Sequence, residues 1–260
     1  MCVHMLELNR KVALIFGVAS ESSIAWAIAE RFAAQGAKII LGYQFRFHSR
    51  IKDLAPKLPN LLFYERCDVT NEIETRAFFA KIRQPIDIVV HSIAYAPAAT
   101  FEKPLADATP EEFGTALTVS SYSLSKIVHH SLPHMKHGGS VMTLSYLGGQ
   151  RACANYKVMG VAKAALEAYV RGLAFELGPK GIRVNAISPG PIKTIAASGV
   201  KDFEHMLNYH KSVAPLRDVI TTDDVAHCAA FLAGDGAKMI TGQTIFVDGG
   251  YSIVGVPQLG

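Results

Sequence analysis

A chain of 260 residues that is 50% hydrophobic and 18% charged carries enough apolar material for a large core, and that balance excludes disorder. The net charge of +4 comes from scattered Lys and Arg with no basic run or interleaved aromatic stripe, which argues against nucleic acid as a partner. Cys2, Cys67, Cys153 and Cys228 have no metal-ligand spacing, so they read as reduced thiols of a cytoplasmic protein without a metal site; no apolar run reaches the roughly 18 residues of a membrane span, and no secretion signal is expected in Met1 to Arg10.

The apolar run Val12 to Phe16 stops at Gly17, and Ile24, Ala25, Ile28, Ala29 and Phe32 follow at helical spacing, which predicts strand, loop and helix. Further strands are expected at Ala37 to Leu41, Leu61 to Tyr64 and Ile86 to Val90. At Thr109-Pro110-Glu111-Glu112 a capping residue, a first-turn proline and two carboxylates announce a helix that should run past Ser125. Ser140 to Leu144 is a fifth strand, Tyr156 to Leu177 a long helix, and Ile182 to Ile187 and Gln243 to Val247 complete seven strands. This alternation predicts an α/β fold, a single domain over residues 1–260 around a doubly wound parallel sheet flanked by helices. Residues 188–215, without regular pattern and following the sixth strand, are expected to form a lid over the ligand edge of the sheet.

Several loops carry candidate chemistry. Gly17 lets the backbone turn sharply before a helix whose N-terminal N–H groups, from Ser23 and Ile24 onward, suit a pyrophosphate, although serines here also serve as plain caps. Gln44 follows the second strand, where a polar side chain can bond an adenosine ribose; Arg46, His48 and Arg50 beyond it can meet a 2′-phosphate or simply be solvated, and NADH is favoured over NADPH. Asp68-Val69 suits an adenine or a helix cap, and the small residues Ser92, Ile93 and Ala94 permit close packing beneath a cofactor, with His91 structural. Tyr156 and Lys163 stand seven residues apart, about two helical turns, so both project from one face. A nearby ammonium is expected to lower the phenol's pKa, and the lysine can also hold ribose hydroxyls.

Together, Tyr156, Lys163, the loop after Gly17, Ser145-Tyr146 and Pro189-Gly190-Pro191-Ile192-Lys193-Thr194 resemble the enoyl-acyl-carrier-protein reductases, a branch of the short-chain dehydrogenases with a Rossmann-type fold. The resemblance runs from about Leu6 to Val256 and includes Ser198-Gly199, Asp202-Phe203 and Asp248-Gly249-Gly250. Carbonyl-reducing members resemble one another in a Tyr-x3-Lys pair, which would place tyrosine at position 159; that residue is Met159, and Tyr146 stands near their serine.

The resemblance implies hydride transfer from NADH to the β-carbon of a trans-2-enoyl thioester on acyl carrier protein, in fatty-acid synthesis. It casts Tyr156 as the hydrogen-bond donor to the thioester oxygen, Lys163 as the ligand of the nicotinamide ribose, and Tyr146 as a wall of the acyl channel or an aid to Tyr156. Gly17, Ser23, Ile24, Ala25 and Thr194 would frame the pyrophosphate, Gln44 the ribose, Asp68 and Val69 the adenine, and Ile192 the carboxamide, with Ser92, Ile93 and Ala94 alongside. Ala96, Ala196, Ala197, Val200, Phe203 and Met206 would contact the acyl chain, although an ordinary buried helix face has the same spacing. Two departures stand out: Ala94 replaces a common glycine, and Lys201 is followed by Asp202, Glu204 and His205 where a more basic group is frequent. A homotetramer is implied, with the apolar segment Ile253 to Leu259 suited to a subunit interface. The rival readings are a carbonyl-reducing short-chain dehydrogenase and a cofactor-binding regulator without turnover.

Overall fold

The computed structural model describes residues 7–194 and 203–255. Seven strands form one parallel sheet: β1 (Val12–Phe16), β2 (Lys38–Tyr43), β3 (Leu61–Arg66), β4 (Ile88–His91), β5 (Gly139–Leu144), β6 (Ile182–Pro189) and β7 (Thr244–Val247). Their order across the sheet is β3-β2-β1-β4-β5-β6-β7. The helices among the described residues are α1 (Ile24–Ala34), α2 (His48–Leu54), α3 (Glu72–Phe79), α4 (Ala99–Glu102), α5 (Pro110–Leu117), α6 (Ser123–Ser131), α7 (Lys157–Leu177), α8 (Phe203–Val213) and α9 (Thr222–Ala233).

A parallel sheet needs crossovers, and these cover both of its faces, which is why β1 is buried along its whole length. The pleat divides its side chains. Ala13 and Ile15 join the core beneath α1 and α9 with Trp26, Ile28 and Phe32, while Val12, Leu14 and Phe16 join the opposite core with Phe78, Phe79, Leu124 and Leu166. In the second core the Phe78 ring lies 5.4 Å from Phe16 and 6.0 Å from Phe63, which ties α3 to two strands.

Helix α5 starts where the sequence places it, with a capping box in which Thr109 Oγ1 accepts from the Glu112 N–H and Glu112 accepts from the Thr109 N–H. The predicted continuous helix past Ser125 is interrupted by a π-helical stretch, Thr118–Tyr122, in which the buried Ser120 hydroxyl donates to the Tyr95 carbonyl in the loop after β4 and the buried Ser121 hydroxyl to the Ala162 carbonyl of α7. Residues 188–215 are more regular than expected. Strand β6 extends to Pro189 because its ladder with β7 continues to the Pro189–Val247 pair, and α8 occupies much of the remainder.

The strand order reverses direction between β1 and β4. Connections leave to opposite sides there, and a crevice opens at the carboxyl ends of the strands. Truncating the aromatic anchor of the second core, Phe78→Ala, should cost about 3–5 kcal/mol of stability, measured by urea denaturation.

Candidate functional site

The crevice is a cavity of about 960 Å³, walled by the loops that follow β1 to β6 and by parts of α7 and α8. At its floor β1 and β4 run side by side, with Phe16 opposite His91 and the Ser92 N–H donating to the Phe16 carbonyl at 3.1 Å. Gly17 has φ +102°, and a β-carbon there would sit 1.9 Å from the Ser92 carbonyl oxygen. Only glycine allows this approach. Beyond it Ser23 is the N-cap of α1, but its hydroxyl donates to the Ser20 carbonyl at 2.7 Å and does not cap the helix. The first turn of α1 thus carries no side-chain cap from Ser23, which leaves N–H groups there that suit an anion.

At the far end Gln44 Nε2 donates to Asp68 Oδ2 at 3.4 Å, so the two polar side chains read after β2 and β3 sit side by side. Burial alone would raise the Asp68 carboxyl's pKa, but hydrogen bonds from the Thr70 hydroxyl and N–H, with Gln44 and Arg66, hold it below the ordinary value. The cap of α3 is Asn71, not Asp68. Arg46 also lines the cavity and stacks over the Phe47 ring at 4.7 Å.

Tyr156 is the residue on which α7 begins, and Lys163 lies two turns along it; both reach the cavity. Lys163 is buried, and its Nζ donates to the Leu144 carbonyl at the end of β5 at 2.6 Å. Burial pulls its pKa down to about 8, opposed by the charge of Glu167 one turn further on. The Tyr146 and Tyr156 rings lie 4.6 Å apart between centroids. Both phenols are pushed well above their ordinary value, Tyr156 by burial and then by Tyr146 and Cys153, Tyr146 by burial and then by Cys153 and Tyr251. The expected lowering of the Tyr156 pKa by Lys163 is therefore corrected: desolvation dominates, and Tyr156 stays a neutral O–H donor at physiological pH.

His91 serves the frame, as its position suggested. Its pKa is lowered to about 3 by burial and then by Lys163, so it is neutral. Its Nε2 lies 2.8 Å from the Ser123 hydroxyl, which donates to the Val119 carbonyl, and its Nδ1 lies 2.8 Å from the Thr143 hydroxyl. A neutral ring donating from Nε2 and accepting at Nδ1 satisfies both contacts.

Gly17, Ile24, Gln44, Asp68, Val69, Ser92, Ile93, Ala94, Ala96, Tyr146, Tyr156, Lys163, Ile192, Thr194, Phe203 and Met206 all line this cavity. Ser23 does not, being turned back onto Ser20, and Ala25 is wholly buried in the core under α1. Ala196, Ala197 and Val200 lie outside the described residues. The sequence reading missed Phe101, Thr115, Val119 and Asn155, which join the wall from segments with no motif of their own. It also missed Gly148, where a β-carbon would lie 2.3 Å from the Tyr156 ring; the pair Gly148-Gly149 straight after Tyr146 was the available signal.

A family profile described as Enoyl-(Acyl carrier protein) reductase matches residues 17–252. The enoyl-acyl-carrier-protein reductase (NADH) of Nostoc sp. is 44% identical over 97% of this chain and 100% of its own length. The Escherichia coli protein of the same name is 41% identical over 97% of this chain and 98% of its own. Among solved structures, the Bacillus cereus enoyl-acyl carrier protein reductase with NADP+ and an indole naphthyridinone superposes with a TM-score of 0.93 at 42% identity, covering 96% of this chain and 99% of that one. The Anaplasma phagocytophilum reductase in complex with NAD gives 0.93 at 39% identity, with both chains fully covered.

Gly17→Ala tests the cavity floor. Its methyl group must displace the Ser92 backbone, and a shift near 1 Å in such a cradle should weaken dinucleotide binding by about a hundredfold, measured by fluorescence titration. Ser23→Ala should change it by less than about threefold, since that hydroxyl is spent on Ser20.

Proposed function

The chain belongs to the enoyl-acyl-carrier-protein reductases, and from that premise we propose how its own residues carry out the reaction. It is an NADH-dependent oxidoreductase that reduces the trans-2 double bond of enoyl thioesters on acyl carrier protein, the last reductive step of fatty-acid elongation. The observation that carries the assignment of roles is the meeting of Tyr146, Tyr156 and Lys163 on one cavity wall, with Met159 where a carbonyl reductase would hold its tyrosine.

The cavity fits a dinucleotide. The glycine cradle at Gly17, the N-terminus of α1 and the Gln44–Asp68 pair are spread along it in the order pyrophosphate, ribose, adenine. When bound there, NADH supplies a hydride. Gly17, Ile24 and Thr194 hold its phosphates, Gln44 the adenosine ribose, Asp68 and Val69 the adenine, Ser92, Ile93 and Ala94 the underside, and Ile192 the carboxamide. The Lys163 ammonium, fixed on Leu144, holds the nicotinamide ribose.

Tyr156 keeps its proton, so it donates a hydrogen bond to the thioester carbonyl oxygen as negative charge develops there. A neutral donor in a site of low polarity gains strength as its acceptor becomes anionic, which favours the transition state over the bound substrate. Tyr146, its ring tilted against it, holds the ring and borders the acyl chain, while Ala96, Phe203 and Met206 give that chain an apolar wall that keeps water out.

The protein works in the cytoplasm as a homotetramer in this reading, with no nucleic acid and no membrane as partner. Among the described residues no helix is long and apolar enough to cross a membrane. Helix α7 exposes Val161, Ala164, Ala168, Tyr169 and Phe175, with Phe175 87% exposed, and such an apolar face suits a second copy of the chain. Gel filtration should give a species about four times the 28.1 kDa chain; a monomer overturns this part.

Loss of NADH absorbance with crotonyl and longer trans-2-enoyl thioesters tests the activity, and turnover of 3-oxoacyl thioesters alone would contradict the role assignment. Tyr156→Phe should lower kcat by about 10²–10³ with NADH affinity retained, the cost of one oxyanion donor, whereas Lys163→Ala should damage both. A lysine with a depressed pKa carries its charge only below that value, so NADH affinity should hold below pH 8 and weaken as pH rises through it. An affinity unchanged to pH 9.5 would remove the ammonium from cofactor binding.

A further inference from the structure

Glu167 is a carboxylate in the protein interior, 3% exposed, one turn beyond Lys163 on α7. A charge is seldom kept there without partners. It has two: the Ser145 hydroxyl donates to Oε1 at 2.6 Å, and Gln150 Nε2 donates to Oε2 at 2.7 Å. Ser145 and Gln150 are the ends of the short turn that leaves β5, and Tyr146 and Gly148 lie between them. The residue just before the turn, Leu144, is the one whose carbonyl accepts from Lys163.

Two side chains a turn apart on α7 therefore grip one continuous segment at three points, residues 144, 145 and 150. Ser145 adds a fourth tie through its N–H to the Ile187 carbonyl on β6 at 2.7 Å. Inside that grip Gly148 packs so closely that a β-carbon would overlap the Tyr156 ring, so any drift of the turn displaces both tyrosines.

We propose that Glu167 is a positioning residue for the reduction: its carboxylate clasps the Ser145–Gln150 turn onto α7 and thereby fixes Tyr146 against Tyr156 and registers both with Lys163. It never touches the reacting atoms. Its charge has a second effect, since it offsets part of the burial that draws the lysine's pKa down, and so keeps the ammonium in place at neutral pH. The inference rests on the enoyl reductase reading for its catalytic consequence and on geometry alone for the clasp.

Glu167→Gln, Glu167→Ala and Gln150→Ala in the full chain test it. Gln150 is on the surface, so its variant should fold even where the others fail. Amide exchange in the cofactor-free protein should quicken by about tenfold across residues 145–156 in Gln150→Ala, the loss of one net hydrogen bond, and by more in Glu167→Ala. In Glu167→Gln the glutamine pair can still bond after an amide flip, so the turn stays ordered. The uncompensated Lys163 should then lose its proton earlier, and the alkaline fall of NADH affinity should move down by about half a pH unit or more. With crotonyl thioester, Gln150→Ala should lower kcat severalfold while the dissociation constant for NADH stays within about twofold.

A merely structural carboxylate would lower the melting temperature and leave these other readings alone. Wild-type exchange over 145–156 in Gln150→Ala, or an unmoved alkaline limb in Glu167→Gln, overturns the proposal. Absence of enoyl turnover in the wild-type chain would instead fail the functional reading, while exchange and NADH titration still judge the clasp.

Discussion

Burying the Lys163 ammonium at the foot of the cavity costs solvation that only fixed dipoles and a neighbouring carboxylate can replace, and much of the site is arranged to replace it. The Leu144 carbonyl, aligned by the end of β5, takes one of its hydrogens. Glu167 lies close enough to favour the charged form, and it is satisfied in turn by Ser145 and Gln150. His91, on the next strand, is held neutral by burial and by that same ammonium, so no second positive charge competes for the site. Helix α7, strand β5 and the turn between them are thus bound by one polar network that runs from the buried Lys163 and Glu167 out to Gln150 at the surface.

The sheet supplies the rigid platform for that network. Parallel strands buried on both faces leave their carboxyl ends as the common edge at which loops diverge, and the reversal between β1 and β4 opens the crevice there. What makes the crevice deep enough is missing volume. Gly17 lets the first loop lie against the Ser92 backbone, and Gly148 lets the turn after β5 lie against the Tyr156 ring. Each contact draws two backbone segments to a separation that a single methyl group would forbid.

Chemically, the site separates two roles that the sequence spacing joins. Tyr156 and Lys163 share a helix, yet the lysine is committed to Leu144 and the tyrosine to a tilted ring contact with Tyr146, in surroundings that oppose ionisation of either phenol. A neutral tyrosine is a donor and not a base. Reduction of an enoyl thioester needs just such a donor at the oxygen where charge accumulates, and Met159 leaves no phenol at the position a carbonyl reductase would use.

By itself the sequence determined the seven strands, the doubly wound order and the loops that meet at the crevice, because apolar periodicity and helix-start signals are local properties written in neighbouring residues. It also marked Gly17, Gln44, Asp68, Tyr156 and Lys163, whose meaning follows from their distance to a strand end or to each other. Tertiary structure alone decided the rest. The sign of the Tyr156 shift depends on how much protein surrounds the ring, which no spacing encodes. Ser23 turned back to Ser20, residues 203–213 formed a helix within the expected irregular lid, and Phe101 and Val119 arrived from segments without motifs. The clasp of Glu167 joins residues about twenty apart in sequence through side chains that are polar in a buried place, and burial of this kind is settled only when the layers have packed.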